Sequence, residues 1–446
     1  MKLPIFTLCA LALSLCTAAA AQDSRTVTEP RMPSSCAQLL PATGANDAPR
    51  IQAALDACAP GHALHLAPAG GQHGFTSGPL RLPSGVTLVI DGGAILYASS
   101  DPMAYDRGAG TCGSIDAVGR GCRPFISADN TSGAGIMGDG EIDGRGGQLV
   151  DGKAESWWQL ARRAQQEKGR QNVPRLIEVS ASRAFTMHAI TLRNSPNFHV
   201  TLNRVDGFTA WRVRIDTPPD ARNTDGIDPI SSRNVTIAHS FIRTGDDNLA
   251  IKAGNNGPSE HISILHNHFY SGHGMSIGSE TNGGVRAVLV DDLTMDGTTA
   301  GLRIKSNDTR GGDVHGIVYR DVCLRNVKTP ISIGTRYEAQ PPGALIPSYS
   351  AISMERVHSV TPGRVLLQGY DAQHPLLLAM GDVVVAGTPQ VQIEFARLSA
   401  IGSGWPGQSG QLNAPGVEGI DCSARFIPFP PARQASQQQT STTKLK

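Results

Sequence analysis

The stretch Val235–Lys252, VTIAHSFIRTGDDNLAIK, decides the fold. It starts with an apolar–polar alternation, goes on to a second short apolar run, then a polar turn at Gly245-Asp246-Asp247, then a third apolar run that ends in Lys252. A period of two is what a strand needs when its two faces meet different surroundings. Three segments after it repeat the design: ISILHNHFYSGHGMSIGS from Ile262, VLVDDLTMDGTTAGLRIK from Val288 and IVYRDVCLRNVKTPISIG from Ile317. Two earlier copies start at Phe185 and Phe208, and a later one at Ile352. The starts are 23, 27, 27, 26, 29 and 35 residues apart.

A repeat of this size cannot bury its apolar face alone, so neighbours must stack. Strand-only repeats with irregular periods, mostly in the twenties, predict an all-β solenoid: a right-handed parallel β-helix. A leucine-rich repeat would show Leu/Asn spacing that is missing here, and a propeller needs a period of about 40. At the N-terminal side, Ile51, Ala54, Leu55 and Cys58 fall on one helical face, with Asp47 placed to cap it. That predicts a helix capping the first coil. Val86–Ile90 and Gly135–Met137 read as early coils, and residues 147–174, with Trp157 and Trp158, as a helical or irregular insertion.

Stacking turns sequence offsets into neighbours. Gly245-Asp246-Asp247 and Gly272-His273-Gly274 lie at the same offsets from Val235 and Ile262. Arg303-Ile304-Lys305 matches Ala250-Ile251-Lys252 in its own copy. Asp225 stands five residues before Ile230, as Asp246 does before Ile251. Adjacent parallel strands lie roughly 4.7–4.9 Å apart. The expected column is therefore Asp225, Asp246 and His273, with Asp247 beside it and Arg303 and Lys305 one coil further on.

An Asp after Gly is usually a turn residue, a lone His usually a structural one, and Arg or Lys at a strand end usually solvated. Acids in equivalent places on consecutive coils are different. Crowded carboxylates repel, which raises at least one pKa. An acid beside ionised carboxylates is the equipment of glycoside hydrolysis, one protonating the leaving oxygen and another activating water. Nearby cations suit an anionic substrate, since Arg holds carboxylates bidentately. No second His or Cys joins His273 at ligand spacing, so no metal is expected.

Composition sets the outer limits. The formal net charge of +1 gives no bulk attraction to nucleic acid or membranes. Met1-Lys2, an apolar run and Ala18–Ala21 resemble a secretory signal peptide over residues 1–21, so an exported, monomeric protein is expected. Six cysteines follow it, and the local pairs Cys36–Cys58 and Cys112–Cys122 would leave Cys323 with Cys422. The β-helix domain is expected over residues 22–432, with a Ser/Thr/Gln-rich disordered tail over 433–446.

Six motifs, in order, carry a resemblance: Gly138-Asp139-Gly140-Glu141-Ile142-Asp143-Gly144-Arg145-Gly146, Asn194-Ser195-Pro196, Asn223-Thr224-Asp225-Gly226, Gly245-Asp246-Asp247, Gly272-His273-Gly274 and Arg303-Ile304-Lys305. Together they resemble glycoside hydrolase family 28, the pectin-cleaving polygalacturonases, and within it the secreted bacterial endo-acting enzymes. The resemblance implies hydrolysis of α-1,4 bonds in polygalacturonate with inversion and without a cofactor. It implies Asp246 as general acid, Asp225 and Asp247 on the water, and His273 supporting the acid. It also implies Arg303, Lys305, Asn223 and Tyr337 on the substrate. Stacking Asp225 directly on Asp246 would bring them closer than the roughly 6.5–9.5 Å of inverting pairs, and so would favour retention. No added domain blocks a cleft, which favours endo over exo action. A rhamnogalacturonan hydrolase should lack the full His and Arg-Ile-Lys set. A pectate lyase would carry calcium ligands, and a non-catalytic polysaccharide-binding β-helix has no need of stacked acids.

Overall fold

The computed structural model describes residues 22–42, 46–338, 342–400 and 419–431. The expected signal segment and tail lie outside them. No helix among the described residues is long and apolar enough to cross a membrane.

The coils form as expected. Phe185 pairs with Phe208, Phe208 with Val235, Val235 with Ile262, Ile262 with Val288, Val288 with Ile317, and Ile317 with Ile352. These are the copy starts read from sequence, and all are buried in one continuous core. Phe185 and Phe208 stack at 6.2 Å between ring centres. Each fully buried aliphatic side chain contributes roughly 1.5–3 kcal/mol. An acid in such a column, Ile237→Asp for instance, would break it.

Two sheets make the walls of a right-handed parallel β-helix, right-handed crossovers being the rule for parallel strands of one sheet. One has nineteen strands, and the other has eleven that follow one another in chain order from Leu80–Arg81 to Gln390–Glu394. Both are built of parallel ladders; the antiparallel pair Ile115–Asp116 with Arg170–Gln171 stands apart. In the larger sheet the chain turns a corner at His239, His266, Asp292, Asp321 and Arg356, all at positive φ. Asp and His enter that region more readily than most residues.

The N-terminal helix forms over Ala48–Ala57, with Ile51 and Leu55 buried. Asp47 does not cap it: its carboxylate accepts from the Thr76 N–H at 3.0 Å and from Arg50 at 2.6 Å. Asn46 takes the Ala48 N–H instead, at 3.0 Å. Gln52 bonds the N–H and the C=O of Arg81, on the outermost strand of the eleven-stranded sheet. The insertion contains the helix Trp157–Gln166, closed by a capping box of Ser156 and Gln159. Trp158 donates to the Ser195 carbonyl at 2.9 Å, and Arg162 to the Asp220 carbonyl. The disulfides are Cys36–Cys58, Cys112–Cys122 and Cys323–Cys422, the pairing expected.

Candidate active site

The eleven-stranded sheet carries the site. Ile227–Ile230, Leu249–Ile251, Met275–Ile277 and Ala300–Lys305 are successive strands on it. Their apolar residues, Ile227, Leu249, Met275 and Leu302, enter the core in register. The polar residues just before and between them are left to line a cleft of about 470 Å³. Asn223, Asp225, Asp246, Asp247, His273, Arg303, Lys305 and Tyr337 all line it.

The column differs from expectation in one respect. Ile227 pairs with Leu249, and Ile230 bridges Lys252, not Ile251. Carried back two residues, this register sets Asp225 level with Asp247; Leu249 with Met275 likewise sets Asp247 level with His273. Asp246 is one residue off. The expected match of Ile230 to Ile251 is one residue out, and the turns leading into these strands differ in length. Asp216 and Arg243 are paired across 27 residues (243 − 216), but Ile227 and Leu249 across 22 (249 − 227). The turn after Asp216 thus carries five extra residues, Pro218 and Pro219 among them. The premise that favoured retention, Asp225 stacked on Asp246, falls with that register. Arg303 and Lys305 stand where expected, since Ala250, Ser276 and Arg303 are ladder partners.

The acids sit in unlike surroundings. Asp247 is buried; its two oxygens meet Lys305 Nζ at 2.7 Å and Ser276 Oγ at 2.8 Å, with Arg303 at 3.6 Å. Asp246 accepts from the Asp247 N–H at 2.9 Å and lies 3.1 Å from His273 Nδ1. Burial would raise its pKa, but the His273 hydrogen bond and charge, with Lys305 behind them, hold it below the usual carboxylate range. Asp225 is raised well above that range, by burial first and then by the charges of Asp228 and Asp246. Asp246, Asp247 and His273 bring possible ligand atoms within 4.8 Å of one another. The Lys305 ammonium already supplies a positive charge there.

Asp228 and Lys252 were missed in the sequence. Asp228 is wholly buried and 2.5 Å from Lys252 Nζ, which also reaches Asp225 at 3.3 Å. Burial opposes the Lys252 charge, yet Asp228 and Asp225 raise its pKa well above the ordinary value. Lys252 also lies over the Phe198 ring at 4.6 Å. Its signal was legible: Ala250-Ile251-Lys252 matched Arg303-Ile304-Lys305 and served only to set register. Gln171 was missed too. From the insertion it donates to Asn223 Oδ1 at 3.0 Å, leaving the Asn223 amide nitrogen for a ligand. Tyr337 closes the far side, with Arg303 and Lys305 each 5.2 Å from its ring.

The family Glycosyl hydrolases family 28 matches residues 73–399. An endo-polygalacturonase of Pectobacterium carotovorum subsp. carotovorum is 50% identical over 376 residues, 84% of this chain and 92% of its own. A polygalacturonase of Ralstonia solanacearum is 41% identical over 394 residues, 78% of this chain and 74% of its own. The solved polygalacturonase from Erwinia carotovora ssp. carotovora superposes with a TM-score of 0.82 at 48% identity, covering 84% of this chain and all of the other.

Proposed function

This chain belongs to glycosyl hydrolases family 28, and from that premise we propose that it hydrolyses polygalacturonan by internal cleavage of its glycosidic bonds, acting as an exported monomer on pectin. The observation that carries the reading is the cleft itself. Asp225, Asp246 and Asp247 line it together with His273, beside Arg303 and Lys305, as acid–base cleavage of a polyanion requires.

In this mechanism Asp246 gives its proton to the glycosidic oxygen as the C–O bond breaks. Asp225 and Asp247 hold the water that attacks the anomeric carbon from the other face and take its proton, so the configuration inverts. Asp246 is ionised in the free site because His273 and Lys305 hold it so. A galacturonate carboxylate on Arg303 and Lys305 offsets part of that positive charge and favours the protonated form. Asp225 Oδ1 is buried without a hydrogen-bond partner, which supports its part in holding the water. Lys252 keeps Asp225 and Asp228 from being two bare charges in one buried place.

The test is polygalacturonate incubated with wild type and with Asp246→Asn. New reducing ends without an ultraviolet-absorbing unsaturated product indicate hydrolysis. A rapid fall in viscosity indicates internal cleavage, and inverted first product by NMR indicates inversion. No reducing ends from the wild type would overturn the proposal.

A further inference from the structure

The cleft cations are matched against acids with one exception. Lys252 is spent on Asp225 and Asp228, Lys305 on Asp247, and His273 on Asp246. Arg303 leans on Asp247 and on the Tyr337 ring. Arg222 lines the same cleft and is half-buried, yet it makes no ion pair or hydrogen bond among the described residues. Its Nε is fully buried with no partner. Burying a guanidinium group unpaired is costly, and its planar fork matches a carboxylate.

Its position matters as much as its charge. Arg222 lies in the long turn before Ile227–Ile230, next to Asn223, and that turn is held by Arg162 and Gln171 of the insertion. Arg303 is on Ala300–Lys305, three ladder steps away through Leu249 and Met275. At about 4.8 Å a step, that is roughly 14 Å along the axis. The coils that carry Asp246, Asp247 and His273 lie between them.

We propose that Arg222 is a second carboxylate subsite, binding a galacturonate of the same substrate chain on the far side of the acids from Arg303 and Lys305. This rests on polygalacturonan being the substrate. With anchors on both sides, the chain is held across the bond that breaks.

Arg222→Gln and Arg222→Lys in the whole enzyme test it. Losing a charge-assisted hydrogen bond predicts KM on polygalacturonate about tenfold higher for Arg222→Gln. The kcat should change little, as for a binding interaction made equally in ground and transition states. Binding of a galacturonate oligomer to Asp246→Asn should weaken by a similar factor when Arg222→Gln is added, and Arg222→Lys should fall between. The bond preferred in a defined oligomer should also shift, which a merely structural role would not cause. Melting curves check folding; if Arg222→Gln does not fold, Arg222→Lys carries the test with the same signs. Unchanged KM, oligomer affinity and bond preference beside an active wild type would overturn this proposal alone. A wild type inert on polygalacturonate would overturn the functional reading and this one with it.

Discussion

Two grooves among the described residues bear comparison, and the larger is not the one with the chemistry. The cleft on the eleven-stranded sheet measures about 470 Å³, and a groove at the corner of the nineteen-stranded sheet about 630 Å³. In the corner groove, rings lie against one another: Trp211 on His239 at 4.7 Å, His239 on His266 at 4.8 Å, and Phe241 on His268 at 5.0 Å. Its charges are paired: exposed Arg212 with Glu29 and His266 with Asp292, and the largely buried Arg214 with Asp216, with Arg214 Nε left without a hydrogen-bond partner. In the cleft the charges do not match one to one: Asp225 and Asp228 share the ammonium of Lys252 and each keep a buried oxygen without a hydrogen bond, and Arg222 has no counter-ion among the described residues. Volume measures what a groove can admit. Charge left unsatisfied inside the protein marks what it is built to act on.

The difference can be broken by mutation. Asp246→Asn should lower the rate of reducing-end release about 10²–10⁴-fold, the usual worth of a general acid, with little change in melting temperature. Lys252→Met should strand two buried carboxylates. A loss of about 3–5 kcal/mol in urea denaturation is expected, with most of the activity. Trp211→Ala, in the other groove, should leave kcat and KM near wild type. Loss of activity there with the fold intact would erase the contrast.

The two grooves should also answer oppositely to pH. Asp225 has its pKa raised on folding, so its stabilisation is full below the unfolded value of 3.8 and is lost as pH rises through the folded value. Asp225→Asn should flatten that decline. His239, in the corner groove, has its pKa lowered by burial and then by His266. The unfolded chain therefore takes up this proton first, and stability falls as pH drops below 6.5; His239→Gln should soften that fall. Denaturation midpoints of both variants from acid to neutral pH check the two signs.

The sequence made the larger sheet legible to the residue. From Phe185 to Ile352 each copy start pairs with the next, because alternating apolar runs must keep their register to stay in the core. The site was legible as a set of residues gathered in one cleft, but not in its finest alignment. Turns face solvent and can change length without disturbing the core. With five extra residues after Asp216 the copy spacing cannot fix the match there; Ile230 bridges Lys252 and not Ile251, so Asp225 is level with Asp247 and not Asp246. Lys252 and Asp228 escaped for another reason. A Lys and an Asp at a strand end look solvated until the fold buries them together. Asp47 was read as a cap from its position, but its carboxylate was drawn to Thr76 and Arg50.

The bond between Cys323 and Cys422 spans 99 residues, whereas the ladder steps that build the cleft span only a few tens. Contacts close in sequence form fast, and a solenoid can grow one coil upon the last. The acids and their cations, from Asn223 to Tyr337, can therefore be in place before the segment that carries Cys422 arrives. Oxidation would then fasten a working site rather than create one. A chain held reduced should still acquire its activity on refolding, and lose it sooner on heating.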